Sequence, residues 1–158
     1  MSGKVLAIGC LHIGHENIAK MRGFNSAEHM WNLLKLNKNK NVNKRDTVYI
    51  LGDVAMETSK YYHLLDELNG FKRVVLGNHD LPKRAHLEEL LKYVNSVHGM
   101  VKYKNMWLTH CPIHESELRG KINVHAHIHD AVIEDDRYVN VDAHKVNYTP
   151  IELKNINI

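Results

Sequence analysis

The sequence predicts an α/β domain built on a mixed sheet system flanked by helices. Three observations carry this. Strand-like and helical stretches alternate through the first half of the chain. Beyond Asn95 the helical period fades and short strand-like runs follow one another instead. Hydrophobic residues at 44% and charged residues at 25% are the proportions of a globular chain with a buried core.

Lys4–Gly9 reads as a short buried strand, followed by a loop that turns at Gly14. From Ser26 to Asn39 the apolar residues Met30, Trp31, Leu33, Leu34 and Leu36 recur at mixed three- and four-residue spacing. Ser26 is a suitable N-cap, so a helix is predicted there. Thr47–Leu51 is the second strand and ends in Gly52-Asp53. Glu57–Leu68 is the second helix, with Tyr61, Leu64, Leu65 and Leu68 on one face and Asn69-Gly70 as its stop. Phe71–Leu76 is the third strand and ends in Gly77-Asn78-His79-Asp80. Asp80 is placed to cap a third helix that carries Pro82 in its first turn and runs to about Tyr93. Ser96–Tyr103 and Met106–Thr109 read as a hairpin around Lys104-Asn105. Ile122–His125, Arg137–Val141 and Ile151–Leu153 complete the strands.

The 158 residues suit a single domain over residues 1–158, with no linker, internal repeat or long insertion. No run approaches the length of a membrane span, and the N-terminus lacks the apolar stretch of a signal peptide. Two cysteines cannot staple a small fold, so a reducing, cytoplasmic setting is expected. The net charge of +3 permits anionic ligands without demanding nucleic acid. Lys35, Lys38, Lys40, Lys44 and Arg45 form a local basic excess, read as a solvated helix end and linker in preference to a nucleic-acid patch.

Histidine is the unusual residue. There are thirteen, and several sit where a strand-like run stops, the place where α/β proteins put ligands. Cys10, His12 and His15 follow the first strand, Asp53 the second, and Asn78-His79-Asp80 the third. His110 follows Trp107-Leu108-Thr109, and His125-Ala126-His127-Ile128-His129-Asp130 follows Ile122-Asn123-Val124. Taken singly, each is a turn residue, a loop histidine or a capping turn. Five strand ends in one chain, each carrying a metal-capable or acid–base group, point instead to a binuclear metal site. Two close cations need a carboxylate between them, and neutral imidazoles and amide oxygens to complete their shells. Such a pair activates a water and clamps the oxygens of phosphorus. Asp53 is the residue suited to bridge.

In these motifs the chain resembles the calcineurin-like metallophosphoesterases over nearly its whole length. That family's order is Asp-x-His, Gly-Asp, Gly-Asn-His-Asp, His and Gly-His-x-His. Here it reads Cys10-Leu11-His12, Gly52-Asp53, Gly77-Asn78-His79-Asp80, His110 and Ala126-His127-Ile128-His129. Ile13–Ile18, Val139-Asn140-Val141 and Tyr148-Thr149-Pro150 are similar to the small phage and bacterial branch. The resemblance implies a four-layer fold, two mixed β-sheets packed as a sandwich flanked by α-helices. It implies that His12 and His129 bind one divalent metal, that Asn78, His110 and His127 bind a second, and that Asp53 bridges them. His79 would protonate the leaving group or stabilise charge on the phosphoryl oxygens, with Asp80 orienting its ring, and His15 would touch the substrate phosphate. A metal-bound hydroxide would attack in line with the leaving oxygen.

Two departures matter. Cys10 stands in place of the first-motif aspartate. The resemblance implies Mn²⁺, Zn²⁺ or Fe, and Cys10 is either a metal ligand that tilts the site towards Zn²⁺ or another soft ion over Mn²⁺ or Mg²⁺, a buried non-ligand that leaves the first metal weakly held, or a redox partner of Cys111. Ala126 replaces a glycine and costs about 1 kcal/mol if that position needs positive φ. His125 falls outside the motif and reads as structural. Without a cap domain the site would be open, which suits a phosphodiester or small phosphomonoester such as a nucleotide. A nucleic-acid end is a minor variant. The alternative class is a catalytically weak or inactive binding or scaffold protein, which Cys10 favours and the retention of Asp53, Asn78, His79, His110, His127 and His129 opposes.

Overall fold

The computed structural model describes residues 3–80 and 83–156. The elements are β1 (Val5–Ile8), α1 (Glu16–Met21), α2 (Ala27–Asn41), β2 (Thr47–Leu51), a 3₁₀ helix over Ser59–Glu67, β3 (Phe71–Val75) and α3 (Arg84–Leu90). They are followed by β4 (Ser96–His98), β5 (Val101–Tyr103), β6 (Met106–Leu108), β7 (Ile122–His125), β8 (Tyr138–Asn140) and β9 (Ile151–Glu152). Two mixed sheets result. One has the order β4-β3-β2-β1-β9, the other β5-β6-β7-β8. In the first, β1 to β4 run parallel and β9 antiparallel. In the second, β6, β7 and β8 are parallel and β5 closes the edge antiparallel.

Alternation along the strands explains the layering. Leu6, Ile8, Val48, Ile50 and Val74 share one apolar cluster with Met30, Trp31 and Leu34 of α2 and Tyr62 and Leu65 of the 3₁₀ helix. Ala7, Tyr49, Leu51 and Val75, on the opposite face, share a second cluster with Met106, Leu108, Ile122 and Val124 of the other sheet. The central strands are buried on both faces, which is why they read as continuous apolar runs.

Several boundaries differ from the sequence reading, each for a local reason. The loop after β1 contains the short helix α1, which buries only Ala19 and so leaves no apolar period to read. Its N-cap is His15, whose Nδ1 accepts the Ile18 N–H at 3.3 Å. Ser26 caps α2 as expected, accepting the His29 N–H at 3.1 Å. The second helix is 3₁₀, begun by a Thr58 hydroxyl that accepts the Lys60 N–H. Helix α3 starts at Arg84 with Lys83 at its N-cap, so Asp80 does not cap it; Pro82 lies outside the described residues. The run Ser96–Tyr103 is two strands. It breaks at the exposed Gly99-Met100, which lets the chain leave the first sheet at β4 and enter the second at β5. Lys104-Asn105 forms the tight turn between β5 and β6, with Lys104 left-handed at φ 52°. In the basic stretch Lys38 is fully buried, its Nζ donating to the Asn69 carbonyl at 2.6 Å, so that part of the run is not solvated.

Candidate functional site

The strand ends that carry polar residues converge. Cys10 N–H donates to the Gly52 carbonyl and His12 N–H to the Asp53 carbonyl, which ties the loop after β1 to the loop after β2. Ala126 N–H donates to the His110 carbonyl, which ties the two loops of the second sheet together. Cys10, His12, Asp53, His127 and His129 all adopt left-handed backbone, with φ between 48° and 69°. For residues with a Cβ this costs roughly 1–2 kcal/mol each, and such strain gathers where function sets the side-chain direction. Ala126 is not among the positive-φ residues, so the strain considered for it does not arise. Opposite Ala126 it is Gly9 that must be a glycine, because a Cβ on it would collide with the Ala126 methyl.

Asp53 is the hub and is 1% exposed. Its Oδ1 accepts the His79 N–H at 3.0 Å. Its Oδ2 lies 3.3 Å from His110 Nε2 and 3.9 Å from His12 Nε2. Burial pushes this carboxyl up, but the hydrogen bond and charge of His110, the His79 N–H and His12 together bring it down to about 2.

His110 Nδ1 sits 2.8 Å from the Leu51 carbonyl. A carbonyl oxygen only accepts, so Nδ1 carries the proton and Nε2 turns into the site. Nε2 is 2.9 Å from Asn78 Oδ1 and 3.1 Å from His127 Nδ1. A carboxylate oxygen, an amide oxygen and an imidazole nitrogen thus crowd around His110 Nε2. Only a proton or a cation among them reconciles that arrangement. Burial lowers the His110 imidazole, but the Asp53 and Leu51 hydrogen bonds outweigh it and hold it above its usual value. His127 is lowered, by burial first and by the His110 charge next.

A second group of donors also lies near Asp53. His12 is buried, and its Nε2 has no hydrogen-bond partner. Burial and then the Arg22 charge lower its pKa to about 3, so the ring is neutral and its lone pair is free to ligate. Its ring stacks on His129 with centroids 5.7 Å apart. Cys10 is fully buried, and its Sγ accepts the His127 N–H at 3.2 Å. Burial, and next the Asp142 carboxylate, push its thiol far above the ordinary range. Cys10, Asp53 and His110 each bring a ligand atom within 4.8 Å of the others, as do His110, Cys111 and His127. Both cysteines are free, Cys10 buried and Cys111 exposed.

Asp80 has a different task from the one expected. It does not orient the His79 ring. Its Oδ2 accepts the N–H groups of Gly77 at 2.6 Å and Asp53 at 2.9 Å, and its Oδ1 accepts that of Val54 at 2.8 Å. The carboxylate is completely buried and wholly engaged by backbone. The ring of His79 instead makes a close contact through Nδ1 with Glu57 Oε1. His12, His15, Ala55, Met56, Glu57 and His79 line a cleft of about 230 Å³ beside Asp53. His125 is buried, with Nδ1 2.9 Å from the Ala126 carbonyl, in keeping with a structural role.

Glu57 and Asp142 were missed in the sequence. Glu57 read as the start of a helix. Asp142 follows a strand end and meets the same test that singled out Asp53, but no motif marks it.

The chain matches the family model for calcineurin-like phosphoesterase over residues 3–155. It is 31% identical to an uncharacterized protein of Methanocaldococcus jannaschii, over 95% of this chain and 87% of that protein. It is 29% identical to the Gene 66 protein of Mycobacterium phage D29, over 78% of this chain and 77% of that one. Among solved structures, a protein of unknown function from Aquifex aeolicus shares the fold with a TM-score of 0.75 at 22% identity, covering 98% of both chains. A structure described as a novel archaeal phosphodiesterase aligns with a TM-score of 0.51 at 21% identity, over 88% of this chain and 82% of that one. The ordered motifs, the two mixed sheets and the family match agree, and the chain belongs to the calcineurin-like phosphoesterase family.

Proposed function

We propose that this protein is a phosphoesterase that uses two divalent cations to hydrolyse a phosphodiester or a small phosphomonoester, nucleotides included. The observation that carries the reading is the gathering of Asp53 Oδ2, Asn78 Oδ1 and His127 Nδ1 about His110 Nε2. Those four residues are suited to hold one cation. His12 and His129 are suited to hold the other, with Asp53 shared and the Cys10 sulfur close by. Nitrogen and oxygen donors suit Mn²⁺, Zn²⁺ or Fe, and direct ligation by Cys10 would favour the softer ions. When bound, such a pair supplies the positive charge that acidifies a water and neutralises phosphoryl oxygens.

The protein's own groups do the rest. The His110–Leu51 hydrogen bond fixes the tautomer, so the ligand nitrogen is preformed. The His79 N–H donates to Asp53 and orients its carboxylate. Glu57 takes the Nδ1 side of His79 and leaves Nε2 to donate a proton to the leaving oxygen. His15, whose Nδ1 is used in capping α1, faces the same cleft with its other edge free for a phosphoryl oxygen. The side chains of His79 and His129 are each 45% exposed, which favours a phosphodiester or small ester approaching from solvent over a buried metabolite. Among the described residues no helix is long and apolar enough to cross a membrane. Two free thiols fit a reducing compartment such as the cytoplasm.

The test is hydrolysis of an aryl phosphodiester and an aryl phosphomonoester with Mn²⁺, with Zn²⁺ and with chelator. Turnover that requires metal and is lost in His79→Ala supports the reading. Inertness with every metal contradicts it and supports a scaffold role.

A further inference from the structure

The resemblance calls for a carboxylate at the end of β1, and Cys10 stands there instead. We propose that Asp142, at the end of β8, supplies the missing oxygen: its Oδ2 is a ligand of the first cation, alongside His12, His129 and Asp53. This rests on the two-cation reading above and adds a ligand to it.

The backbone brings the two positions together. Gly9 N–H donates to the Val141 carbonyl at 3.0 Å, and Ala143 N–H donates to the Gly9 carbonyl at 2.8 Å. Gly9 and Asp142 are thereby paired in a parallel bridge, and Asp142 lies one residue from Cys10 on the neighbouring chain segment. A carboxylate lost from one strand end is available from the adjacent one.

The Asp142 side chain is completely buried, and its two oxygens differ. Oδ1 accepts the His144 N–H at 3.0 Å and an Arg22 N–H at 3.4 Å. Arg22 is itself anchored on the Cys10 carbonyl at 2.9 Å, which fixes the carboxylate oxygen it reaches. Oδ2 has no hydrogen-bond partner. It lies 3.4 Å from His129 Nδ1 without a hydrogen bond between them. An unpartnered carboxylate oxygen is among the least tolerable groups in a protein interior. His12 Nε2 is a second buried orphan, and its ring stacks on the same His129. A cation bound beside His129 would give each of them a partner. It also gives the first site a hard oxygen donor, so the site accepts Mn²⁺ despite Cys10.

The competing role is positional: Asp142 takes the Nδ1 proton of His129 and merely orients a ligand. Moving the carboxylate back to the end of β1 separates the two. Cys10→Asp can replace a lost ligand but cannot replace a lost contact with His129 Nδ1.

The experiment is equilibrium dialysis against Mn²⁺ with elemental analysis, on the wild type, Asp142→Ala and the double variant Cys10→Asp/Asp142→Ala. Circular dichroism checks each fold. Two ions per chain in the wild type, one in Asp142→Ala and two in the double variant are expected. Two ions in Asp142→Ala, or one in the double variant, would overturn the inference and leave the two-cation reading standing. Fewer than two in the wild type would overturn that reading, and the inference with it. If Asp142→Ala does not fold, the wild-type protein crystallised with Mn²⁺ decides. The anomalous peak nearest His12 must lie at about 2.2 Å from Asp142 Oδ2, a normal metal–oxygen distance. A peak beyond contact of that oxygen overturns the inference.

Discussion

Asp80 holds Asp53 by its backbone, its buried Oδ2 accepting the Asp53 N–H at 2.9 Å. The same carboxylate takes the N–H groups of Gly77 and Val54, so it locks the loops after β2 and β3 in one arrangement. Asp80→Ala leaves the buried N–H groups of Asp53 and Val54 and the half-buried one of Gly77 without their acceptor. Destabilisation of about 3 kcal/mol or more is expected, read as a fall in the urea midpoint. Divalent metal should bind more weakly in the variant, because Asp53 and Asn78 then lose their common anchor.

Glu57 and His79 act as a pair on the rim of the cleft. His79→Ala should lower kcat by roughly 10² to 10⁴, the usual worth of a positioned general acid. Glu57→Gln keeps the shape but removes the charge beside Nδ1, and a fall of about tenfold in kcat is expected if the general-acid contribution is only partly lost. Glu57 is exposed, so the urea midpoint should not move. In the double variant the two losses should not add, because each works through the same imidazole.

Two lysines set a pH dependence far from the cleft. Burial, and then repulsion by Lys72, lower Lys38 from 10.5 to about 7. Burial lowers Lys72 as well. In the unfolded chain both regain the ordinary value, so above about 7 the unfolded state binds more protons than the folded one. Stability should therefore rise with pH between about 7 and 10.5. Thermal melts across that range check it, and Lys38→Met should flatten the rise to the share left by Lys72.

The two thiols should behave differently. Cys111 is exposed and Cys10 fully buried. A disulfide reagent should modify one thiol per native chain rapidly and the second only on unfolding. Formation of an internal disulfide on mild oxidation, seen by mass spectrometry, would revive the redox pairing that the free thiols of the structure do not show.

Much of this architecture was legible in the residues. The central strands announce themselves because both faces are buried, and Ser26 marks its helix by a cap. Helix α1 was not legible, because six residues that bury one alanine carry no period. The strand break at Gly99-Met100 was hidden because both halves are equally strand-like and only the change of sheet separates them. At the site, the motif residues were found by their position at strand ends. Asp80 was misread because a capping aspartate and one that binds backbone amides two loops away look alike in sequence. Glu57 and Asp142 act through pairings between distant segments, which no local pattern encodes.

The central claim is a cation pair shared across Asp53. Crystals grown with Mn²⁺ and measured for anomalous scattering test it most directly. The account expects two peaks flanking Asp53, one among Asn78, His110 and His127 and one beside His12 and His129. A map with no peak in contact with Asp53 would contradict it.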